Sequence, residues 1–228
     1  KNTANLCKEY AIPELKDFGY VVGLLHDIGK YQESFGKRIN GDKVKVEHST
    51  CGALAAKENY SVSPMVLMME YCIAGHHSGI PDGGFPNDDA DKPTLCGRLK
   101  RKFEDFSEYK KEISLPELDG LNWMKYLFKD CDDKLENVID KFAFLTRYIF
   151  SCLVDADSND TAEFCKEREL PRKLKADFTA CLRKVNAKLD SFTCKTELQK
   201  KRAFLQKQAF QNAGQEGEIY LLNMPTGS

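Results

Sequence analysis

Histidine is scarce in this chain, with four among 228 residues, and tryptophan occurs once. No apolar run approaches the length of a membrane span, which excludes a transmembrane helix from the sequence reading. No signal-peptide pattern opens the chain, and its first residue is Lys rather than Met, which reads as a trimmed N-terminus. Nine cysteines are present without a C-x-x-C pair. Their odd number and wide scatter exclude a disulfide scaffold and a zinc knuckle, and point to reduced thiols in a cytoplasmic protein without a membrane partner. Internal repeats and low-complexity segments are missing too. Net charge is nearly absent at −1, but unevenly so. Thr161 to Asn212 carries 13 basic and 6 acidic residues, leaving the remainder at −8. Such a basic third suits contact with phosphates, or is simply a solvated helical face.

What is present is mostly helical patterning. Glu14 to Lys30 places Leu15, Phe18, Val21, Val22 and Leu25 at helical spacing, with Pro13 near its start. Glu47–Glu58 and Pro64–Gly75 continue the pattern. "PDGGFP" (Pro81–Pro86) is a loop that Asn87–Lys92 extends. Further amphipathic helices are expected over Pro93–Lys111, Pro116–Asp130, Leu135–Asp155, Pro171–Leu189 and Thr196–Gln211. The turn-rich "NAGQEGE" then precedes "IYLLNM", which reads as a short strand before the terminal "PTGS". The expected class is all-α with one short C-terminal strand.

The chemistry gathers at helix ends. In "GLLHDIGK" an apolar run stops at His26-Asp27, residues that cores exclude unless a partner such as a metal ion compensates their burial. His48 lies in "VEHST", His76 and His77 in "AGHHSG", and Asp155 in "CLVDADSND", where another apolar helix runs out. The whole histidine supply is spent on these motifs. Neutral imidazoles with carboxylates suit Mn, Fe, Co, Ni or Zn better than Ca or Mg. Neighbouring helical residues point about 100° apart, so His26 and Asp27 cannot grip one ion as an i, i+4 pair does. At a helix terminus they can meet ions lying between several helices, and Asp27, with two oxygens, is the natural bridge.

"GLLHDIGKYQESF", "VEHSTCGALAA", "AGHHSG" and the later Asp155 resemble the HD-domain nuclease of CRISPR-associated nuclease–helicases, the effectors of type I interference. "LLNMPTGS" resembles the start of the helicase domain that follows this nuclease, where a phosphate-binding loop comes next. The resemblance implies an HD helical bundle over residues 1–193. A linker helix and the first strand of a truncated helicase domain would occupy 194–228. It implies two divalent transition-metal ions, with Mn, Fe, Co or Ni foremost. His26, Asp27 and Asp155 would hold one; Asp27 would bridge to a second held by His48, His76 and His77. Lys30 would touch the scissile phosphate beside the catalytic Asp27.

The family also uses a histidine on the preceding helix. None lies upstream of His26, so that ligand is expected before Lys1, leaving the first ion under-coordinated here. Single-stranded DNA is the implied substrate and the guide-RNA surveillance complex the implied partner, with ATP belonging to the missing helicase. Basic segments "RLKRKF" (Arg98–Phe103) and "PRKLK" (Pro171–Lys175), with Phe103 and Phe106 stacking on bases, are candidates for a strand path. Two other readings stay open: an HD phosphohydrolase acting on a nucleotide, and a catalytically dead module that binds DNA or a partner.

Overall fold

The computed structural model describes residues 1–10, 15–61, 63–120, 125, 127–129, 131, 134–166 and 177–212. The chain is mostly helical, with no strand among the described residues. The expected strand "IYLLNM", the "PTGS" terminus and the basic segment Pro171–Lys175 lie outside them, as do residues 121–124, 126 and 130 of the expected helix Pro116–Asp130, whose described start, 116–119, is not helical. Among the described residues no helix is long and apolar enough to cross a membrane.

Two compact units emerge, Lys1–Leu170 and Pro171–Ser228. The division expected between 193 and 194 thus falls inside the second unit. That unit contains α9 (Phe178–Asp190), whose first turn is capped by Asp177 accepting from the Ala180 amide, and α10 (Glu197–Asn212). No residue of α9 is buried.

The first unit begins with α1 (Asn2–Tyr10) and α2 (Lys16–Leu25). A 3-10 turn over Ile28–Tyr31 follows, then α3 (Glu33–Ile39). After an irregular segment come α4 (Ser49–Asn59) and α5 (Ser63–Gly75). Two one-turn helices, α6 (Leu95–Arg98) and α7 (Tyr109–Glu112), precede the 32-residue α8 (Leu135–Lys166). The periodicity accounts for α2, α4 and α5 closely, and α8 runs eleven residues beyond the expected Asp155.

Pro93–Lys111 departs from expectation, because only its two ends are helical. Tertiary bonds override local propensity there. Lys100 donates to the carbonyls of Pro86 and Asp88, and Arg101 to those of Ala90 and Lys92. These cations strap the chain to the preceding loop.

α1 packs on α2, α4 on α5, and α8 lies against α5 and α1. The core joins Phe18, Val21, Val22 and Leu25 of α2 to Met68, Met69 and Ile73 of α5 and to Leu145, Ile149 and Leu153 of α8. Truncating one such side chain to Ala typically costs about 2–5 kcal/mol. The ends of α2 and α5 are therefore firmly anchored, and the polar residues just beyond them are carried on a stiff base.

Two glycines set how closely these ends approach α4. A Cβ on Gly52 would lie 2.1 Å from the Leu25 carbonyl oxygen, and one on Gly29 would lie 2.1 Å from that of His48. Only hydrogen fits at either place, so the turn carrying Asp27 is pressed directly against the start of α4.

Candidate metal centre

His26 is the residue just after α2, and Asp27 opens the 3-10 turn. His48 begins α4, while His76 and His77 sit where α5 ends. That end is turned sharply by Gly79, whose φ of +92° favours glycine, with its amide bonded to the Gly75 carbonyl at 2.8 Å. The side chains converge in two groups that share one member: Asp27 with His48, His76 and His77, and Asp27 with His26 and Asp157. Each group offers ligand-type atoms within 4.8 Å of one another.

Asp27 faces both ways. Its Oδ2 is 3.2 Å from His26 Nε2, and its Oδ1 is 3.4 Å from His48 Nε2 and 3.7 Å from His76 Nε2. His26 Nε2 also lies 3.6 Å from Asp157 Oδ1. His26 Nδ1 donates to the Gly23 carbonyl at 2.8 Å and His76 Nδ1 to that of Ile73 at 2.7 Å. A carbonyl can only accept, so both rings carry hydrogen on Nδ1 and aim Nε2 inward, the arrangement that orients metal-ligating imidazoles. His48 Nε2 and His77 Nε2 meet at 2.9 Å.

Fit to a metal rests on atoms left without partners. His26 Nε2, Asp27 Oδ1 and His76 Nε2 are buried and make no hydrogen bond within the protein. Such atoms are costly, and a native fold explains them by an ion, a water or a catalytic role. Here they belong to one cluster of imidazole nitrogens and carboxylate oxygens, a donor set suited to divalent transition metals. The cluster could therefore hold a metal ion.

Electrostatics favour the charged pair. Burial opposes the Asp27 carboxylate, but His26, His48 and His76 outweigh it and hold its carboxyl far below the usual range. Burial likewise pulls His26 down, yet Asp157 and Asp27 overcome it and push it up to about 9. His26 holds Asp157 below the ordinary carboxylate value. Burial, with His76 and His48 nearby, lowers His77 and keeps it neutral, as a ligand must be.

Of the residues singled out from sequence, His26, Asp27, His48, His76 and His77 come together. Lys30 joins them, its Nζ 2.6 Å from Asp27 Oδ2. Asp155 does not: it is exposed, and Asp157 stands beside His26 instead. Residues two apart on a helix point about 200° apart, so only one of these aspartates can face the site. The buried stripe of α8, Leu145, Ile149, Cys152, Leu153 and Ala156, reaches Asp157 by one further i+4 step. That spacing was the available signal.

Three supporting residues are not apparent from the sequence. Phe35 sits edge-on to His48 at 5.4 Å, with Lys30 Nζ 5.8 Å from its ring. Gln32, buried, donates to the carbonyls of Gly29 and Glu47 and ties the Asp27 turn to the approach to His48. Glu47 accepts from the Thr50 amide, Thr50 Oγ1 and Ser49 Oγ, capping α4. Arg98, expected on a strand path, is instead buried against that cap, bonded to Thr50 Oγ1, Ser49 Oγ and Glu47 Oε1. Phe106 packs against the core, and Phe103 is half-buried. No protein-family model matches the chain, and neither a curated protein nor a solved structure does.

Proposed function

We propose that the chain is a metal-dependent nuclease that hydrolyses phosphodiester bonds of single-stranded DNA, an HD-type domain like those of CRISPR-associated nuclease–helicases. The observation that carries the reading is the position of Asp27: one oxygen faces His26 and the other faces His48 and His76. A carboxylate so placed is built to serve two ligand groups at once. Divalent ions, which His26, Asp27, Asp157, His48, His76 and His77 would hold, would supply Lewis acidity toward the phosphate and toward water.

The chain's own residues do the rest. His26 and His76 are locked by the Gly23 and Ile73 carbonyls, so their Nε2 atoms present without reorganisation. Asp157 completes the His26 side, in the role that the sequence pattern suggests for Asp155. Lys30 brings positive charge beside Asp27, where a phosphate gathers negative charge as its pentavalent state forms. Guide-RNA surveillance complexes are the partners this reading carries, with ATP confined to a helicase domain.

The test is nicking of circular single-stranded DNA after chelation and add-back of Mn, Fe, Co, Ni, Zn or Mg, with Asp27→Ala alongside and nucleotide hydrolysis in parallel. Metal-dependent cutting, lost in Asp27→Ala, is the expected result. Full activity in Asp27→Ala sinks the shared-carboxylate account. Hydrolysis of a nucleotide with no cutting of DNA would hand the site to a phosphohydrolase, and silence in both would leave a binding module.

A further inference from the structure

The basic run Arg98–Lys102 is the obvious place to seek a strand path, and the structure spends most of it internally. Arg98 caps α4 with Glu47, while Lys100 and Arg101 hold loop carbonyls. A different segment carries cations that make no ion pair among the described residues. Between α3 and α4 the chain runs irregularly from Asn40 through Gly41, whose φ is +104°. Arg38, Lys43 and Lys45 on and beside this segment are exposed, with no ion pair or side-chain hydrogen bond among the described residues. Lys37 differs, being paired with Glu33 at 2.8 Å.

These cations border a trough that begins at the metal centre. An open groove of about 890 Å³ is lined by His48 and His77 of the centre and also by Arg38. An adjoining depression shares Arg38, Val46 and Glu47 with it and adds Lys43 and Lys45. Glu47 is committed to Ser49, Thr50 and Arg98, so the carboxylates left along the trough are Asp42 and Asp82. Three unpaired cations against two carboxylates leave the trough positive, and the excess lies on the Arg38–Lys45 side.

We propose that Arg38, Lys43 and Lys45 hold the phosphates of the nucleic-acid strand flanking the scissile bond, on the His48 and His77 side of the centre. The inference rests on the nuclease reading and names its strand-positioning residues. Contacts of this kind carry no sequence information; they fix the register of the backbone and make affinity depend on salt. An arm of three exposed cations leading to a hydrolytic centre also explains how an open trough selects a polymer. A free nucleotide reaches only the centre, whereas a strand meets all three cations.

The test is the triple variant Arg38→Ala, Lys43→Ala, Lys45→Ala in the full chain, beside a partner carrying Arg38→Lys, Lys43→Arg and Lys45→Arg. Binding of a labelled oligodeoxythymidylate is followed over a range of salt concentrations, with metal-induced thermal stabilisation as the check on the centre. For the alanine variant, the dissociation constant should rise by tenfold or more at low salt. The logarithmic salt slope should become shallower by about 2, because three phosphates of the single strand are no longer neutralised. KM for cutting should rise with kcat little changed, metal stabilisation should persist, and the charge-retaining variant should behave as the wild type does.

An alanine variant that binds with wild-type affinity and salt slope overturns the arm while leaving the nuclease reading to its own cutting assay. Equal losses in the charge-retaining variant also overturn it, since packing rather than charge would then be at work. A wild-type chain that binds no strand, or binds one and cuts none with any metal, removes the nuclease reading and the arm together.

Discussion

Replacing Gly29 by alanine tests the construction of the centre without touching any ligand. The added Cβ would lie 2.1 Å from the His48 carbonyl oxygen and 2.7 Å from both its carbonyl carbon and its Cα. Ordinary contact begins near 3.4 Å, so the Asp27 turn and the start of α4 must part by about 1 Å. The obstacle is backbone, which cannot swing aside. Overpacking costs about 1–3 kcal/mol, and this site belongs at the upper end. For a chain of this size each kcal/mol is worth about 2–4 °C, so the metal-free protein should melt about 6–12 °C lower.

The second effect is larger in kind. His48 Nε2 lies 3.4 Å from Asp27 Oδ1, and metal–ligand distances tolerate only about 0.2 Å of error. Parting the two segments by about 1 Å should therefore abolish metal-induced stabilisation in Gly29→Ala. The control is Gly36→Ala: Gly36 lies within α3 with nothing within 4 Å of its Cβ position. Removing that helical glycine should raise stability by about 0.5–1 kcal/mol and leave metal binding intact. Differential scanning calorimetry of chelated and manganese-loaded samples reads both effects. A Gly29→Ala protein with wild-type melting and a wild-type metal shift would refute the reasoning.

Other outcomes follow from the same geometry. His26, pushed up to about 9, carries a proton that an incoming metal must displace, so apparent affinity should climb between pH 6.5 and 9; a flat titration calorimetry profile contradicts this. In chelated protein the sign reverses. The His26 pairing with Asp157 and Asp27 stabilises fully below its ordinary value of 6.5 and is lost as pH rises through about 9, so melting should fall across that window. Asp155→Asn should change stability by less than about 0.5 kcal/mol and leave metal binding alone, whereas Asp157→Asn should weaken metal binding and bring His26 down. An NMR titration of the histidines distinguishes the two, and equal effects would place the aspartates wrongly. Arg98→Met strips Glu47 of its buried partner and should cost about 3 kcal/mol by chemical denaturation, with weakened metal binding through His48; an unperturbed variant would remove Arg98 from the scaffold.

Much of the helical layout was legible because it is local. Periodic apolar positions over 15–25, 47–58 and 64–75 dictate α2, α4 and α5, whose formation requires no knowledge of distant residues. Histidines placed just outside those apolar stretches likewise announce a polar centre, since a core has no other use for them at a helix end. Prediction failed where a residue's fate depends on a partner far along the chain. Pro93–Lys111 has a helical pattern, yet Lys100 and Arg101 found the carbonyls of the 86–92 loop and the helix stopped after one turn. Arg98 looks like a surface cation until it meets Glu47, fifty-one residues away.

The aspartate of α8 marks the boundary most sharply. Sequence alone determined that an apolar helix ends in several aspartates near 155, and that histidines and Asp27 are the metal-binding types on offer. Which aspartate reaches His26 depends on how α8 is rotated against α1 and α5, and that rotation is set by packing Leu145, Ile149 and Leu153 into the core. Side chains about 200° apart on one helix cannot share a face, so the choice of Asp157 over Asp155 was made by tertiary structure.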